Sequence, residues 1–72
     1  MAVAQHNIDD WFGPNHDALC PPEHRERFQA IRLALRASAL DIIKFTNGNA
    51  DQTTAIKHLR YSMSFVLYCF SK

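Results

Sequence analysis

Two arginines in the middle of the chain are the residues best placed to do chemistry. Arg32 and Arg36 are four residues apart, which puts their side chains one turn apart on the same face of a helix. Two guanidinium groups at that spacing can hold phosphate oxygens through paired, charge-assisted hydrogen bonds. A solvated charge stripe on a helix has the same spacing, so the pattern leaves both interpretations open.

The first 20 residues contain flat rings that could lie against a base. Trp11, Phe12 and His16 all fall in this segment, and purine rings stack on aromatic planes and beside arginine side chains. The other interpretation of Trp11 and Phe12 is that they fold into a small core. His16 lies in a polar turn, where that alternative has less weight.

Other reactive residues give no catalytic pattern. His16, Cys20 and His24 are spaced by four, but the two prolines after Cys20 interrupt any helix that would align them for zinc, and no Cys-x-x-Cys pair is present. Cys69 has apolar neighbours and is expected in the core. Because the chain has no glycine-rich phosphate loop and no nucleophile–base pair, we expect no enzyme, no cofactor and no metal.

The elements that position these residues are predicted to be helices. Apolar residues recur every three or four positions from about residue 22 to 46 and from about 52 to 70. A polar break between them ends the first helix and caps the second, and so short a connection favours an antiparallel helical hairpin. Residues 1–20 show no sustained period and form a leader, so residues 1–72 are interpreted as one all-α domain.

Each predicted helix also has a second apolar stripe. The stripes comprise Ala30, Leu33, Ala37 and Leu40 in the first helix, and Tyr61, Phe65 and Tyr68 in the second. One apolar stripe of each helix can pack against the other helix. The second stripe then has to be buried against another surface. A chain this short buries only about 60% of its unfolded surface, so we expect a homo-oligomer.

Composition and charge narrow the class of protein. The 72 residues are 47% hydrophobic and 21% charged, which is typical of a folded domain and not of a disordered chain. Residues 1–24 carry a net charge of −4 and residues 25–72 carry +5. A basic body suits a small anionic ligand or an acidic partner, whereas a total of +1 argues against binding to a DNA or RNA polymer. With no signal segment, no membrane span and two cysteines, a cytoplasmic location is expected.

The order of several short motifs resembles a known family. The motifs are His16-Asp17-Ala18-Leu19, Pro22-Glu23, Ile31-Arg32, Ala39-Leu40-Asp41-Ile42, a polar break, and Ala55-Ile56-Lys57-His58-Leu59. Over about residues 12–72 they resemble the small phage-encoded anti-CBASS proteins, which act as cyclic-nucleotide sponges in immune evasion. The Trp-Ala-Asn typical of that family is replaced by Phe65-Val66-Leu67, so its interface packing must differ here.

This resemblance implies both a function and a set of ligand-binding residues. It implies a helical homo-oligomer, namely a hexamer. This hexamer would sequester cyclic dinucleotides of the cGAMP type without cleaving them, and cyclic trinucleotides would be a further class of ligand. In the host cell cytoplasm this would block activation of the CBASS effector. Among the implied ligand residues, Arg32 would bind a phosphate with support from Arg36. His16 would stack on a base, with Phe12 or Trp11 as substitutes. Lys72 would belong to a trinucleotide site.

The alternative function comes from a different class of protein. The ridge formed by Arg25, Gln29, Arg32 and Arg36 could bind an acidic surface of a host protein. The chain would then be a small helical protein-interaction module.

Overall fold

The fold is built from helices joined by short turns in the part of the chain that the structure describes. A computed structural model describes residues 5–70, with side chains from residue 7 onward. It contains helices α1 (Gln5–Trp11), α2 (Arg25–Phe45) and α3 (Ala50–Phe70), the 3₁₀ segments Pro14–Leu19 and Pro22–His24, and no strand within this range. The predicted all-α fold class is therefore confirmed for these residues.

Helices α2 and α3 are each 21 residues long and pack along one another. At one end, the ring of His24 just before α2 stacks on Phe70 at the end of α3, with ring centroids 5.3 Å apart. At the other end, Gln52 in the first turn of α3 donates a hydrogen bond to the Thr46 hydroxyl at 3.1 Å. Contacts at both ends therefore join α2 and its flanking residues to α3.

Local capping explains where the two long helices begin and end. Helix α2 begins at Arg25, slightly later than predicted, because Pro22–His24 forms a 3₁₀ turn before it. Helix α3 begins at Ala50 because the side-chain oxygen of Asn49 accepts the backbone N–H of Gln52 at 2.9 Å and so serves as the N-cap.

Between residues 5 and 20 the leader is mostly helical, although its sequence shows no helical period. Ile8 in α1 and Phe12 directly after it are four residues apart and both fully buried, so α1 and the residue that follows it use a single narrow face to cover the long helices. A sharp turn follows at Gly13, where a Cβ atom would collide with the carbonyl oxygen of Asp9. Glycine is therefore needed for the chain to fold back under the end of α1.

The core is small and draws on both the leader and the long helices. Its fully buried apolar residues are Ile8, Phe12, Cys20, Phe28, Ala39, Ile56 and Met63. Cys69 was predicted to join this core and is exposed instead, because it lies about 120° around α3 from Met63. No helix among residues 5–70 is long and apolar enough to cross a membrane.

Candidate anion-binding site

Arg32, the residue expected to bind a phosphate, lies inside the protein. Its side chain is 7% exposed, and Nε and Nη2 donate hydrogen bonds to Oδ1 and Oδ2 of Asp17 at 2.9 and 3.2 Å. Its Nη1 donates to the carbonyl oxygen of Phe12 at 3.0 Å. A phosphate would have to displace Asp17 to reach this guanidinium, so within one chain Arg32 links α2 to the leader.

Asp17 is the centre of the contacts between the leader and α2. Its Oδ2 also accepts a hydrogen bond from Nε2 of Gln29 at 2.9 Å. Its backbone carbonyl accepts one from Nε of Arg25 at 2.9 Å, and Nη2 of Arg25 donates to the carbonyl of Cys20 at 3.1 Å. Three residues of the predicted basic ridge therefore face the leader and fix its position.

These contacts set the ionisation of Asp17. Burial alone disfavours the charged carboxylate, but the hydrogen bonds from Arg32 and Gln29 and the positive charges of Arg32 and Arg25 outweigh that effect, so the pKa of Asp17 is lowered. A carboxyl group whose pKa is lower in the folded chain stabilises the fold fully above its unfolded pKa of about 3.9. That contribution disappears as the pH falls through the lower, folded pKa.

We therefore expect part of the acid sensitivity of this protein to come from Asp17. In Asp17→Asn, the free energy of unfolding should be lower at neutral pH and should fall less steeply than in the wild type below about pH 4. Urea unfolding followed by circular dichroism between pH 2 and 7 measures both quantities. Asp41→Asn, at an exposed position of α2, is the control. An identical pH dependence in Asp17→Asn and the wild type would contradict the role given to this carboxylate.

The two leader aromatics occupy different environments. Phe12 is fully buried and presents no ring face to a ligand. Trp11 is half-buried and packs against the core, and the guanidinium carbon of Arg60 lies 4.9 Å from the centroid of its ring system. Arg60 is itself exposed. Sequence reasoning missed this residue, because no local spacing relates a position in α3 to Trp11 in the leader.

Arg36 and His16 remain partly accessible. Nη2 of Arg36 pairs with Oδ1 of Asp9 at 2.7 Å, and the two side chains are 35% and 51% exposed. Nε2 of His16 lies 3.3 Å from the carbonyl oxygen of Asp10 at a half-buried position. An exposed ion pair contributes only about 0–1 kcal/mol, so a competing anion could replace Asp9 on Arg36 at little cost.

The predicted ligand residues do not converge on one pocket. Asp9 and Trp11 are two positions apart on α1, about 200° around the helix, so Arg36 and Arg60 contact opposite flanks of α1. Arg36 lies against the flank with Asp9, and Arg60 lies against the flank with Trp11. Lys72, expected at a second ligand site, lies outside the described residues.

Two other features of the described residues bear on what the chain can bind. Within residues 5–70, no three His, Cys, Asp or Glu side chains come close enough together to hold a metal ion. A cavity of about 290 Å³ lies at the α2–α3 connection, away from the leader, near the lower size limit for small-molecule sites. It is lined by Ile42, Thr46, Asn49, Asp51, Gln52 and Ala55, none of which is a predicted ligand residue.

Comparison of the chain with models of protein families, with curated proteins and with solved structures found no match. The resemblance to the anti-CBASS sponges therefore rests on the order of motifs in the sequence.

Proposed function

We propose that the protein is a phage anti-defence sponge. As a homo-oligomer it would bind cyclic dinucleotides, and as a further class cyclic trinucleotides, and withhold them from the host CBASS effector without cleaving them. The observation that best supports the proposal is the half-buried Trp11 ring beneath the exposed guanidinium of Arg60. A ring and a cation side by side match the base and the phosphate of a nucleotide.

The energies favour replacement of Arg60 on the Trp11 ring by a base. A cation–π contact at an exposed site contributes about 0.5–1 kcal/mol, whereas a base stacked on an aromatic ring contributes about 1–3 kcal/mol. A base that took the place of the guanidinium above the indole would leave Arg60 beside it, ready for the adjoining phosphate. His16 offers a second ring in the leader, with its Nε2 3.3 Å from the carbonyl oxygen of Asp10, the residue before Trp11.

Arg36 supplies the second cation in the proposal. Its contact with Asp9 is exposed and weak, so a phosphate that accepts two hydrogen bonds from the guanidinium would compete well with it. This assignment moves the phosphate contact from Arg32 to Arg36, because all three directions of the Arg32 guanidinium are occupied by Asp17 and Phe12.

A ligand with two phosphates explains why the proposed protein is an oligomer. Arg36 and Arg60 lie on opposite flanks of α1. One chain can therefore offer only one of these two arginines to a ligand bound at a given flank. Two chains that bring such flanks together would clamp both phosphates and both bases. The family resemblance implies a hexamer for this assembly, acting in the host cell cytoplasm.

The test is a calorimetric titration against a panel of cyclic di- and trinucleotides. We expect tight, saturable binding and recovery of intact ligand after heat denaturation. Trp11→Ala should weaken binding by about 1–3 kcal/mol, roughly 5- to 150-fold, and Arg60→Ala or Arg36→Ala by about 1.5–3 kcal/mol because each removes a charged hydrogen-bond donor. Arg27→Ala, at an exposed position of α2, should bind like the wild type.

Three results would reject the proposal or part of it. Binding of no panel member would reject the sponge. Degraded ligand would indicate an enzyme. Wild-type affinity in both Trp11→Ala and Arg60→Ala would reject the ring–cation site.

The alternative, an interaction module that uses the basic ridge, has less support from the geometry. Arg25, Gln29 and Arg32 of that ridge donate hydrogen bonds to the leader. Of the four ridge residues, only Arg36 makes its contact with the leader at the exposed surface. A single arginine makes a poor docking surface for an acidic protein.

A further inference from the structure

Arg36 is held by a carboxylate that a ligand can displace but cannot remove from the site. Oδ1 of Asp9 accepts a hydrogen bond from Nη2 of Arg36 at 2.7 Å, and the side chain of Asp9 is 51% exposed. Because an exposed ion pair is weak, a phosphate can take the place of Asp9 on the guanidinium. Where the carboxylate goes after that exchange decides which phosphates Arg36 can hold.

The backbone of Asp9 is held in place, so its carboxylate stays close to any phosphate on Arg36. Ile8, the residue before Asp9, is fully buried, and so is Phe12 after the end of α1. The backbone N–H of Phe12 also donates to the carbonyl oxygen of Ile8 at 2.9 Å. The carbonyl oxygen of Asp9 packs against Gly13, where a Cβ atom would collide with it. A displaced carboxylate can therefore turn about its own side-chain bonds, but α1 cannot carry it away.

The charge of the phosphate then determines how strongly Asp9 opposes binding. A phosphodiester carries one negative charge, whereas a terminal phosphate carries nearly two at neutral pH, since its second proton leaves with a pKa of about 6. Arg32, one turn away on α2, is already bonded to Asp17 and cannot offset the added charge. Repulsion between two unit charges about 6 Å apart weakens binding roughly threefold in water, and roughly tenfold at half that dielectric constant.

We infer that Asp9 is a specificity-determining residue that makes the Arg36 contact favour phosphodiesters over terminal phosphate groups. The inference rests on the proposed function, in which Arg36 holds a phosphate, and it adds the class of phosphate that this contact accepts. Cyclic nucleotides, whose phosphates are all diesters, fit the contact. Linear nucleotides with a terminal phosphate are opposed by repulsion, which is a means of specificity distinct from an added attractive contact.

The test compares two small anions that differ in charge and carry no base. At pH 8, dimethyl phosphate has one negative charge and methyl phosphate has nearly two. The Cζ resonance of Arg36 in ¹³C-labelled, full-length protein reports the dissociation constant of each anion. Asp9→Asn should bind both anions more tightly than the wild type, and the gain for methyl phosphate should exceed the gain for dimethyl phosphate roughly 3- to 10-fold. A variant that merely loosened the leader would change both constants alike, so the ratio of the two constants is the readout.

Two variants serve as controls for the carboxylate of Asp9. Asp9→Glu keeps the charge and should retain the wild-type ratio. Asp10→Asn removes the same charge from the next position of α1, which is exposed and about 100° further around the helix. Because distance and salt weaken its effect on Arg36, it should change the ratio at most about twofold. Circular dichroism checks that all three variants remain helical.

The outcomes separate this inference from the proposed function. An unchanged ratio in Asp9→Asn, or an equal change in Asp10→Asn, overturns the role of Asp9, as does a failure of both anions to shift the Arg36 resonance in Asp9→Asn. A protein with any of these results that still binds cyclic nucleotides would remain a sponge. A ratio that depends on Asp9, in a protein that binds no cyclic nucleotide, would retain the role of Asp9 at an anion site and reject the sponge.

Discussion

Replacement of Arg32 by alanine is expected to lower the free energy of unfolding by about 3–5 kcal/mol, because it leaves the buried carboxylate of Asp17 without its main partner. Single domains are stable by only about 5–15 kcal/mol in total. The variant should therefore be partly unfolded near room temperature, or should at least release the leader. The carbonyl of Phe12 loses its donor as well, which adds to the effect.

Chemical denaturation followed by circular dichroism measures this change, and two variants serve as controls. Arg27→Ala removes an exposed arginine from the same helix and should change stability by less than about 0.5 kcal/mol. Arg32→Lys should recover only part of the loss, because an ammonium group cannot bond both oxygens of Asp17 in the fork geometry of a guanidinium. A loss below about 1 kcal/mol in Arg32→Ala would show that the ion pair does not hold the leader.

A double variant separates the structural role of Arg32 from a ligand-binding role. Well-packed apolar residues often replace a buried ion pair without loss of stability, so Asp17→Leu with Arg32→Met should restore much of the stability lost in Arg32→Ala. If Arg32 only positions the leader, the double variant should bind cyclic nucleotides nearly as well as the wild type. If Arg32 contacts a phosphate after rearrangement, binding should remain lost although the fold is restored.

The long helices were predictable because their apolar residues repeat over five or more turns. That repeat gave α2 and α3 within about three residues at each end. The short helix α1 was not predictable in the same way, since a helix of seven residues with Ile8 buried, followed by the buried Phe12, gives no period. The cap at Asn49 and the turn at Gly13 depend on single residues whose roles become clear only once their neighbours are placed.

The candidate site was less predictable than the fold for a physical reason. Spacing of four residues places Arg32 and Arg36 on one side of α2, but it does not say what faces that side. Asp17, in a leader without a helical repeat, decides that Arg32 is buried while Arg36 stays accessible. In the same way, Arg60 meets Trp11 only through the packing of the leader across the long helices, which no local pattern encodes.

Phe12→Ala is expected to destabilise the protein by about 3–5 kcal/mol, because it removes a fully buried ring and leaves a cavity between the leader and the long helices. Among residues 7–70 the core has seven fully buried apolar residues, so few neighbours can shift to fill the space. Thermal or urea unfolding measures the loss. Leu19→Ala, at a 67% exposed position of the leader, is the control and should have little effect.

Phe12→Leu decides whether the ring of Phe12 serves the core or a ligand. Leucine refills much of the cavity, so stability should return to within about 1.5 kcal/mol of the wild type, but it has no flat face on which a base can stack. A core role therefore predicts that Phe12→Leu is stable and binds cyclic nucleotides with wild-type affinity. A stacking role predicts that it is stable and binds at least fivefold more weakly, the loss expected when a base–aromatic contact of about 1 kcal/mol or more is removed. We expect the first outcome, because a side chain with no exposed area in this fold can contact a ligand only if the leader first leaves the core.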